Sequence, residues 1–513
     1  MTLRIGIDVG GTNTDAAVLD EADRIVARAK RPTSADITGG LRAALAAVLD
    51  ELGERSGEVS RVMLGTTHAT NAILERRSLG KVAVVRLGAP ATTSIPPLSD
   101  WPADLRRAVA AGAVIVRGGY FVDGRPIAPL DTDAVKRFLN EPRDGVPVEA
   151  VAVTGVFSPA SAEQEKQVAE IVLAELGGEV AISLSHEIGS LGLLERENAT
   201  VLNAALYGVA RDVTGGLRQA LDERGLAVET FFAQNDGTLM AVDYAARYPV
   251  LTIGSGPANS LRGAAFLSGV SDAIVADVGG TSTDLGVLSG GFPRESAAAV
   301  EIGGVTTNFR MPDILSVALG GGTVVGEGAG EGLGPRSVGY RITEEALAFG
   351  GPTPTMTDAA VAAGRGTVGT RPVAASERLS RAVRLADEMV IDAVDRIALG
   401  KADRPLIAVG GGAFILPGSV PGVSEVIRPA DAAVANAVGA AIALASGRFE
   451  TIAPAGAGRA AAVERAKEEA AARAVAAGAD SGRVEIVELT EVPLSYLPEP
   501  AVRVHVKAAG PLI

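Results

Sequence analysis

Short apolar runs and helical periods alternate along most of the chain, a pattern typical of α/β proteins. Runs rich in Val and Ile at 3–9, 16–19 and 25–29 are separated by turn residues and predict three successive strands. A helical period follows at 36–53, and alternating strand and helix patterns continue as far as a helix predicted at 161–176. These elements indicate a first α/β domain, which we place at residues 1–185.

A second block with the same organisation begins near residue 186, where a long helical pattern starts. Its predicted strands and helices are strands at 229–234, 249–253, 272–278, 285–288 and 405–412 and helices at 376–399 and 436–445. The last helix is rich in small residues, which indicates close packing against a neighbour. We place the second domain at 186–450. An Ala/Glu-rich helix at 459–477 and an alternating tail then predict a small α+β appendage at 451–513.

One sixteen-residue segment occurs twice in the chain. Residues 5–20 read IGIDVGGTNTDAAVLD and residues 274–289 read IVADVGGTSTDLGVLS, and ten of the sixteen aligned positions are identical. Gly-Gly can simply close a tight hairpin, and Thr favours strands. Two copies with matching Asp, Gly-Gly and Thr positions instead favour a shared function. We therefore expect two related domains, each with a D-x-G-G-T-x-T-D hairpin, and a cleft between them.

Composition narrows the class of protein. The 513 residues carry a net charge of −14, which argues against nucleic-acid binding because such binding needs clustered Lys and Arg. The absence of cysteine excludes a thiol nucleophile, a thiolate metal site and a disulfide. Neither a signal peptide nor an apolar run of ~18–20 residues is apparent. We expect a soluble cytoplasmic protein with no membrane partner.

The repeated hairpin suits phosphate and magnesium chemistry. Its glycines let backbone N–H groups approach an anion closely, and its threonines add hydroxyl donors. Asp8 and Asp277 stand at strand ends, where a carboxylate can hold Mg²⁺ through water. Two facing hairpins would grip the β- and γ-phosphates from opposite sides. The strand and three glycines of AVGGGAFI at 408–415 would suit an adenosine, although this signal is weak alone.

The order of these motifs resembles the superfamily of sugar kinases, actin and heat-shock chaperone ATPases over residues 1–445. That resemblance implies two ribonuclease-H-like domains with ATP and Mg²⁺ in the cleft. Within the superfamily the chain is similar to the ATP-binding subunit of the hydantoinase/5-oxoprolinase family. The motifs that carry this resemblance are DVGGTNTDA (8–16), GTTHATNAILERR (65–77), ERENATVLNAAL (195–206), QNDGTLM (234–240), GSGPANSLRGA (254–264), DVGGTSTDLG (277–286), VALGGGT (317–323), GP (334–335) and PTMTDA (354–359).

The resemblance implies ATP-dependent opening of a cyclic amide such as a hydantoin, 5-oxoproline or a lactam, through phosphorylation of the carbonyl oxygen. Relatives in the family include acetone and acetophenone carboxylase subunits, so an ATP-dependent carboxylase subunit stays open. A small-molecule kinase and a chaperone-like reactivase ATPase are further alternatives. A second subunit and a homo-oligomer are both compatible with the pattern, and the substrate ring is open. Asn13 stands where the family usually has an aromatic residue, and Thr238 stands where it has a glycine.

The candidate site residues follow from these motifs. The catalytic candidates are Asp8, Asp15, Asp277, Asp284 and His68, and the metal candidates are Asp8 and Asp277. The nucleotide-binding candidates are Gly10, Gly11, Thr12, Asn13, Thr14, Gly279, Gly280, Thr281, Ser282, Thr283, Gly410, Gly411 and Gly412. The substrate candidates are Thr67, Asn71, Asn235, Asp236, Ser255 and Gly256.

Several of these residues also have a structural interpretation. Asp15 and Asp284 either orient the acceptor or cap their own hairpins. His68 either faces the cleft or caps a helix, and His186 is either functional or structural. Asn235 and Asp236 either contact substrate or form an Asx turn. The segment GSGPAN at 254–259 is either an anion nest or a tight turn into a helix.

Overall fold

The computed structural model describes residues 2–33, 39–143, 145–189, 191–296, 299–308, 311–326, 333–398, 400, 403–494 and 500–512. Three predicted elements extend beyond these residues: the start of the helix at 36–53, the end of the helix at 376–399, and residues 495–499 and 513 of the C-terminal appendage. Among the described residues, no helix has both the length and the apolarity to cross a membrane.

The strands are numbered in chain order. They are β1 (Leu3–Val9), β2 (Asn13–Leu19), β3 (Ile25–Pro32), β4 (Val59–Thr66), β5 (Val82–Ala89), β6 (Ala110–Arg117), β7 (Ala150–Gly155), β8 (Ala181–Leu184), β9 (Glu229–Ala233), β10 (Leu239–Ala241), β11 (Ala273–Val278), β12 (Thr283–Ser289), β13 (Phe292–Pro293), β14 (Val300–Ile302), β15 (Val305–Thr307), β16 (Ile314–Val317), β17 (Arg404–Val409), β18 (Val423–Ile427), β19 (Ala445–Pro454), β20 (Glu485–Leu494) and β21 (Ala501–Gly510).

The α-helices are numbered in the same way. They are α1 (Gly39–Leu52), α2 (His68–Glu75), α3 (Ala103–Val109), α4 (Thr132–Leu139), α5 (Glu163–Leu176), α6 (Ser185–Ile188), α7 (Leu193–Ala205), α8 (Tyr207–Asp222), α9 (Val242–Arg247), α10 (Ser255–Ser268), α11 (Ile342–Glu345), α12 (Met356–Ala362), α13 (Glu377–Ala398), α14 (Ala435–Ile442) and α15 (Arg459–Ala476).

Two sheets repeat one strand order. In the first sheet β1 pairs antiparallel with β2 and β2 with β3, while β4 lies parallel to β1 and β9 lies parallel to β4. In the second sheet β11, β12 and β13 are antiparallel in the same way, and β17 and β18 follow in parallel. The predicted α/β fold with two related halves is therefore confirmed.

The predicted domain boundaries differ from the strand pairing. Strands β5 to β8 form a separate four-stranded sheet in the described chain, inserted between β4 and β9 of the first sheet. The boundary at 185/186 therefore cuts the first sheet, because β9 and β10 follow it. The predicted appendage at 451–513 is also not separate, since β19 pairs with β10 and β21, and β20 extends the same sheet. Local periodicity carries no information about these distant pairings.

The segment 249–253 is another difference between prediction and structure. It was expected to be a strand, but Pro249–Thr252 forms a short 3₁₀ turn. Proline fixes φ and lacks the N–H that a strand would contribute to its ladder, so it begins the turn instead.

Two helices lie between the first and second sheets. Helix α14 buries Ala437, Val438 and Ala441 against the first sheet, and helix α10 buries Leu261 and Ala264 against the second. The two helices approach each other at glycines, because a Cβ on Gly263 or Gly439 would clash with the backbone of the facing helix. This confirms the close packing predicted for the small-residue helix and brings the two hairpins to one cleft.

Candidate functional site

Both hairpin turns line one cavity of about 470 Å³ between the two sheets. The turns have the same geometry: Gly10 N–H donates to the Asn13 carbonyl at 3.0 Å, and Gly279 N–H donates to the Ser282 carbonyl at 2.9 Å. The turns also lie close together, because a Cβ on Gly280 would stand 3.4 Å from the methyl group of Thr12. The structure therefore brings the two copies of the sequence motif to one site.

Four carboxylates line this cavity. Strand pairing sets Asp8 opposite Asp15 in the first hairpin and Asp277 opposite Asp284 in the second. Burial raises the pKa of Asp8 to about 6, and the neighbouring Asp15 carboxylate adds to that increase. Burial likewise raises the pKa of Asp277 to about 6 and also raises the pKa of Asp284. Closely spaced buried acids are typical of sites that receive a cation.

Helix α10 reaches both hairpins through consecutive residues. Asn259 Nδ2 donates to Asp8 Oδ1 at 3.2 Å, and Ser260 Oγ donates to Asp277 Oδ2 at 2.5 Å. The sequence analysis selected neither residue, although both lie within the motif GSGPANSLRGA, because the start of that motif was interpreted only as an anion nest or a tight turn into a helix. Helical geometry alone would have placed 259 and 260 one turn inside the helix.

A lysine and an asparagine complete the first hairpin. Lys30 Nζ donates to both oxygens of Asp15, at 2.7 and 2.9 Å. Asn436 Nδ2 donates to Asp8 Oδ2 at 3.0 Å and to Asp15 Oδ2 at 2.9 Å. Sequence analysis missed these two residues as well. The predicted third strand ended at residue 29, one position before Lys30, so it did not include the pairing of Lys30 with Asp15 that β3 makes.

The glycine-rich loop after β16 supports the second turn. Gly321 N–H donates to the Gly279 carbonyl at 3.0 Å, and Gly322 N–H donates to the Gly280 carbonyl at 2.7 Å. In a trans peptide the carbonyl and the following N–H point in opposite directions. The N–H groups of Gly280 and Thr281 therefore point away from this loop, and both residues line the cavity. This arrangement suits a bound phosphate.

Some nucleotide-binding candidates do not line the cavity. Thr14 Oγ1 lies 3.3 Å from Thr33 Oγ1, and Thr283 Oγ1 donates to the Leu319 carbonyl at 2.6 Å. Because strand residues alternate between faces, the cavity receives Asp15 and Asp284, and the preceding threonines face the other side. Gly410 and Gly411 line the cavity, and Gly412 is not among the lining residues.

The substrate candidates divide between two places. Thr67 and Gly256 line the cavity with the hairpins. Ser255 is buried and donates to the Thr66 carbonyl at 3.3 Å, and Asn71 Nδ2 donates to Thr67 Oγ1 at 3.5 Å. These two side chains therefore support the cavity wall.

The remaining candidates lie away from the hairpins. His68 pairs through Nδ1 with Thr66 Oγ1, burial lowers its pKa, and it is not a lining residue. Asn235 lines a different cavity. Asp236 forms buried ion pairs with Lys507 at 2.7 Å and with Arg448 at 2.9 Å.

The donor set of the cavity fits Mg²⁺. Magnesium binds proteins through one or two carboxylates, keeps several waters and shares the phosphates of its nucleotide. Asp8 and Asp277 offer such carboxylates from opposite hairpins. The described residues hold no cluster of three or more His, Asp and Glu that could enclose a metal by themselves. The arrangement therefore suits a cation that arrives with phosphates.

Comparisons with known proteins give one consistent picture. Residues 4–176 match the hydantoinase/oxoprolinase N-terminal region, and residues 196–367 match hydantoinase/oxoprolinase. The caprolactamase subunit alpha of Pseudomonas jessenii is 28% identical over 421 residues, which are 76% of this chain and 58% of that protein. The acetophenone carboxylase gamma subunit of Aromatoleum aromaticum is 27% identical over 391 residues, which are 70% of this chain and 53% of that protein. The chain thus spans a little over half the length of these curated relatives.

Solved structures support the same fold. The ATP-dependent caprolactamase of Pseudomonas jessenii superposes with a TM-score of 0.79 and 21% identity, covering 99% of this chain and 88% of that one. A nucleotide-free acetone carboxylase superposes with a TM-score of 0.69 and 18% identity, again covering 99% and 88%.

Proposed function

The chain belongs to the hydantoinase/oxoprolinase family, and on that basis we propose that it is an ATP-dependent enzyme that opens a small cyclic amide. The observation that carries the proposal is the cavity in which both D-x-G-G-T-x-T-D hairpins meet. Its backbone donors suit the phosphates of a nucleotide, and its paired carboxylates suit the Mg²⁺ that accompanies those phosphates. The lactam-opening relative supports the choice of a cyclic amide.

The proposed reaction must first make the ring amide reactive. A ring amide is a poor electrophile because resonance protects its carbonyl. Transfer of the γ-phosphoryl group to the carbonyl oxygen forms a new O–P bond and releases ADP. Water then adds to the carbon, the ring C–N bond breaks, and a proton goes to the nitrogen. A second water hydrolyses the resulting acyl phosphate, which leaves the open-chain amino acid and inorganic phosphate.

The chain's own residues would position the nucleotide and balance its charge. Asp8 and Asp277 would hold Mg²⁺, which neutralises phosphate charge when bound. The N–H groups of both turns would contact the phosphates, and Lys30 would add a positive charge beside them. Asp284 is the better candidate to orient the acceptor, because both oxygens of Asp15 already accept from Lys30.

The test is ADP release with Mg·ATP and a panel of hydantoins, 5-oxoproline and lactams. We expect at least one ring to raise ADP release in parallel with formation of the open-chain product. Asp8→Ala and Asp277→Ala should abolish that stimulation, while Asp243→Ala, a change of an exposed aspartate, should preserve it. Ring-independent ADP release throughout the panel would exclude the amide assignment.

A carboxylase component is the second candidate function. It is favoured by the relatives named acetophenone carboxylase gamma subunit and acetone carboxylase beta subunit, the latter 24% identical. In that case bicarbonate and a ketone, and no cyclic amide, would raise ADP release, and labelled bicarbonate would enter an organic acid.

A second protein subunit is part of the proposal, because the relatives are named as subunits of larger enzymes. Repeating the panel with the products of neighbouring genes tests it. An increase in ring-dependent ADP release on mixing would support a subunit requirement, and full turnover by the chain alone would contradict it.

A further inference from the structure

Strand β20 is the outer strand of the first sheet. It pairs on one side with β21, and no strand in the described part of the chain pairs with its other side. A long edge strand presents backbone N–H and C=O groups that can pair with another chain. Proline blocks such pairing and occurs in β20 only at Pro493, near its end, so Glu485–Val492 can still accept a further strand.

The exposed side chains of β20 are unusually apolar. Four large apolar side chains of this strand are between 38% and 47% exposed, namely those of Ile486, Val487, Leu489 and Val492. The other exposed large apolar side chains of the described chain are scattered among distant elements. Single exposed apolar residues are ordinary, whereas a contiguous group marks an interaction surface.

A groove of about 540 Å³ lies beside β20. Val487 is the extra residue of a β-bulge, and with Glu488 it lines one wall of the groove, while Phe292 and Pro293 of β13 line another. None of the groove's lining residues lines the cavity between the two hairpins, as far as the described residues show. Because strand side chains alternate between faces, a strand added to β20 can direct every second side chain towards this groove.

The charges of β20 favour a basic partner. The strand carries Glu485, Glu488 and Glu491, of which Glu491 is paired with Arg459 at 2.6 Å. An added strand lies about 4.8 Å from β20 and about twice as far from β21, so it meets these glutamates first. Lys507, the cation that lines the groove, is already paired with Asp236 at 2.7 Å. Opposite charges on neighbouring strands stabilise their pairing.

A second copy of the chain fits this edge less well. Two β20 strands placed side by side would bring both sets of glutamates together, and like charges on neighbouring strands are destabilising. Each chain also carries a net charge of −14, which adds to the repulsion between copies.

We propose that β20 is the docking site for an extended segment of a second protein subunit, in which Lys or Arg residues alternate with apolar residues. The segment pairs with the outer edge of β20 and places apolar side chains in the adjacent groove. That the partner is a subunit of the same enzyme rests on the proposed function. Docking at this edge leaves the cavity between the two hairpins open to nucleotide.

The test measures binding of a fluorescent, terminally blocked peptide to the full chain by anisotropy. The peptide alternates Lys with Val and Thr over about nine residues, the length of a strand. We expect saturable binding that weakens as sodium chloride rises to about 0.5 M, because salt screens exposed charges. A peptide with Glu in place of each Lys should not bind.

Two variants of the strand identify the binding surface. Leu489→Lys removes an apolar contact and adds a like charge, so it should weaken peptide binding roughly tenfold or more. Leu173→Lys, at an exposed leucine of α5, is the matched control and should bind as the unmodified chain does. Glu485→Lys changes only an exposed charge, so it tests the same surface even if the Leu489 variant fails to fold, and it should reduce both the affinity and its salt dependence.

Three outcomes would overturn the inference: equal affinity for the basic and acidic peptides, unchanged affinity in the folded Leu489 and Glu485 variants, or self-association of the chain that Leu489→Lys abolishes. The last would assign the edge to a second copy.

The ADP-release assay separates this inference from the proposed function. A neighbouring gene product that raises ring-dependent ADP release with the unmodified chain, and fails to do so with Leu489→Lys, would support the docking site. Peptide binding that is lost in both variants would support the site even if no ring raised ADP release, and the proposed function alone would then be contradicted.

Discussion

Replacing Asp8 with asparagine should stabilise the nucleotide-free protein and stop its ATP chemistry. Asp8 is 3% exposed and accepts hydrogen bonds from Asn259 and Asn436. An asparagine at this position can keep both contacts. Its Oδ1 accepts from Asn436, and its Nδ2 can donate to Asn259 Oδ1, which has no partner among the described residues, once that amide flips. The substitution therefore removes a buried charge without breaking the hydrogen-bond network.

The size of the effect follows from the pKa of Asp8. Burial raises that pKa from 3.8 to about 6, with a further contribution from Asp15. A raised carboxyl pKa stabilises the folded state below pH 3.8, and this stabilisation is lost as pH rises to about 6. Each unit of difference between the folded and unfolded pKa corresponds to about 1.4 kcal/mol. Ionisation of Asp8 therefore lowers the free energy of unfolding by about 3 kcal/mol at pH 8 and by about half that at pH 5.

Urea unfolding at pH 5 and pH 8, without nucleotide or divalent cation, measures this difference. The free energy of unfolding of Asp8→Asn should exceed that of the unmodified protein by about 3 kcal/mol at pH 8 and by clearly less at pH 5. Asp243→Asn, at a 95% exposed side chain, is the control and should change nothing. A variant that is no more stable at pH 8, or equally more stable at both pH values, would refute the reasoning.

Three further substitutions test other parts of the structure. Gly410→Ala places a Cβ against the Asp277 carboxylate at a backbone φ of +86°. It should abolish Mg·ATP turnover and lower the free energy of unfolding in urea by about 1–2 kcal/mol. Gly418→Ala, whose Cβ meets nothing within 4 Å, is the control and should change neither quantity. Arg86→Leu leaves Glu197 buried without its bidentate partner at 2.6 and 2.7 Å, so the free energy of unfolding in urea should fall by about 3 kcal/mol or more. A smaller fall would show that this pair matters less than its burial implies. Asp236→Asn removes the carboxylate that the buried Lys507 and the partly buried Arg448 share, so amide hydrogen exchange in β19 and β21 should accelerate while β11 keeps its protection.

The paired hairpins could be predicted because their information is local. A Gly-Gly turn between two short apolar strands fixes its own geometry, and duplication of the loop implied duplication of the fold around it. The positions of Asp8 and Asp277 followed directly from these loops. Strand alternation could have corrected Thr14 and Thr283, because it separates them from the aspartates that follow.

The rest depended on contacts between distant parts of the chain. Asn436 and Asp8 are 428 residues apart, and Asn259 and Asp8 are 251 apart, so no periodicity connects them. The same reason explains why the C-terminal strands were expected to form an appendage. Alternation of apolar and polar residues indicates that a strand exists, but tertiary packing decides which strand it pairs with.

The order in which the first sheet is assembled has a consequence for synthesis on the ribosome. Its hairpin is translated within the first 20 residues, yet Asn436, which holds both aspartates of that hairpin, is translated more than 400 residues later. Strands β19, β21 and β20 join the sheet later still. A nascent chain interrupted before residue 436 would carry the complete first phosphate motif without the amide that bridges Asp8 and Asp15. The face of the first sheet that helix α14 covers stays open until that helix leaves the exit tunnel.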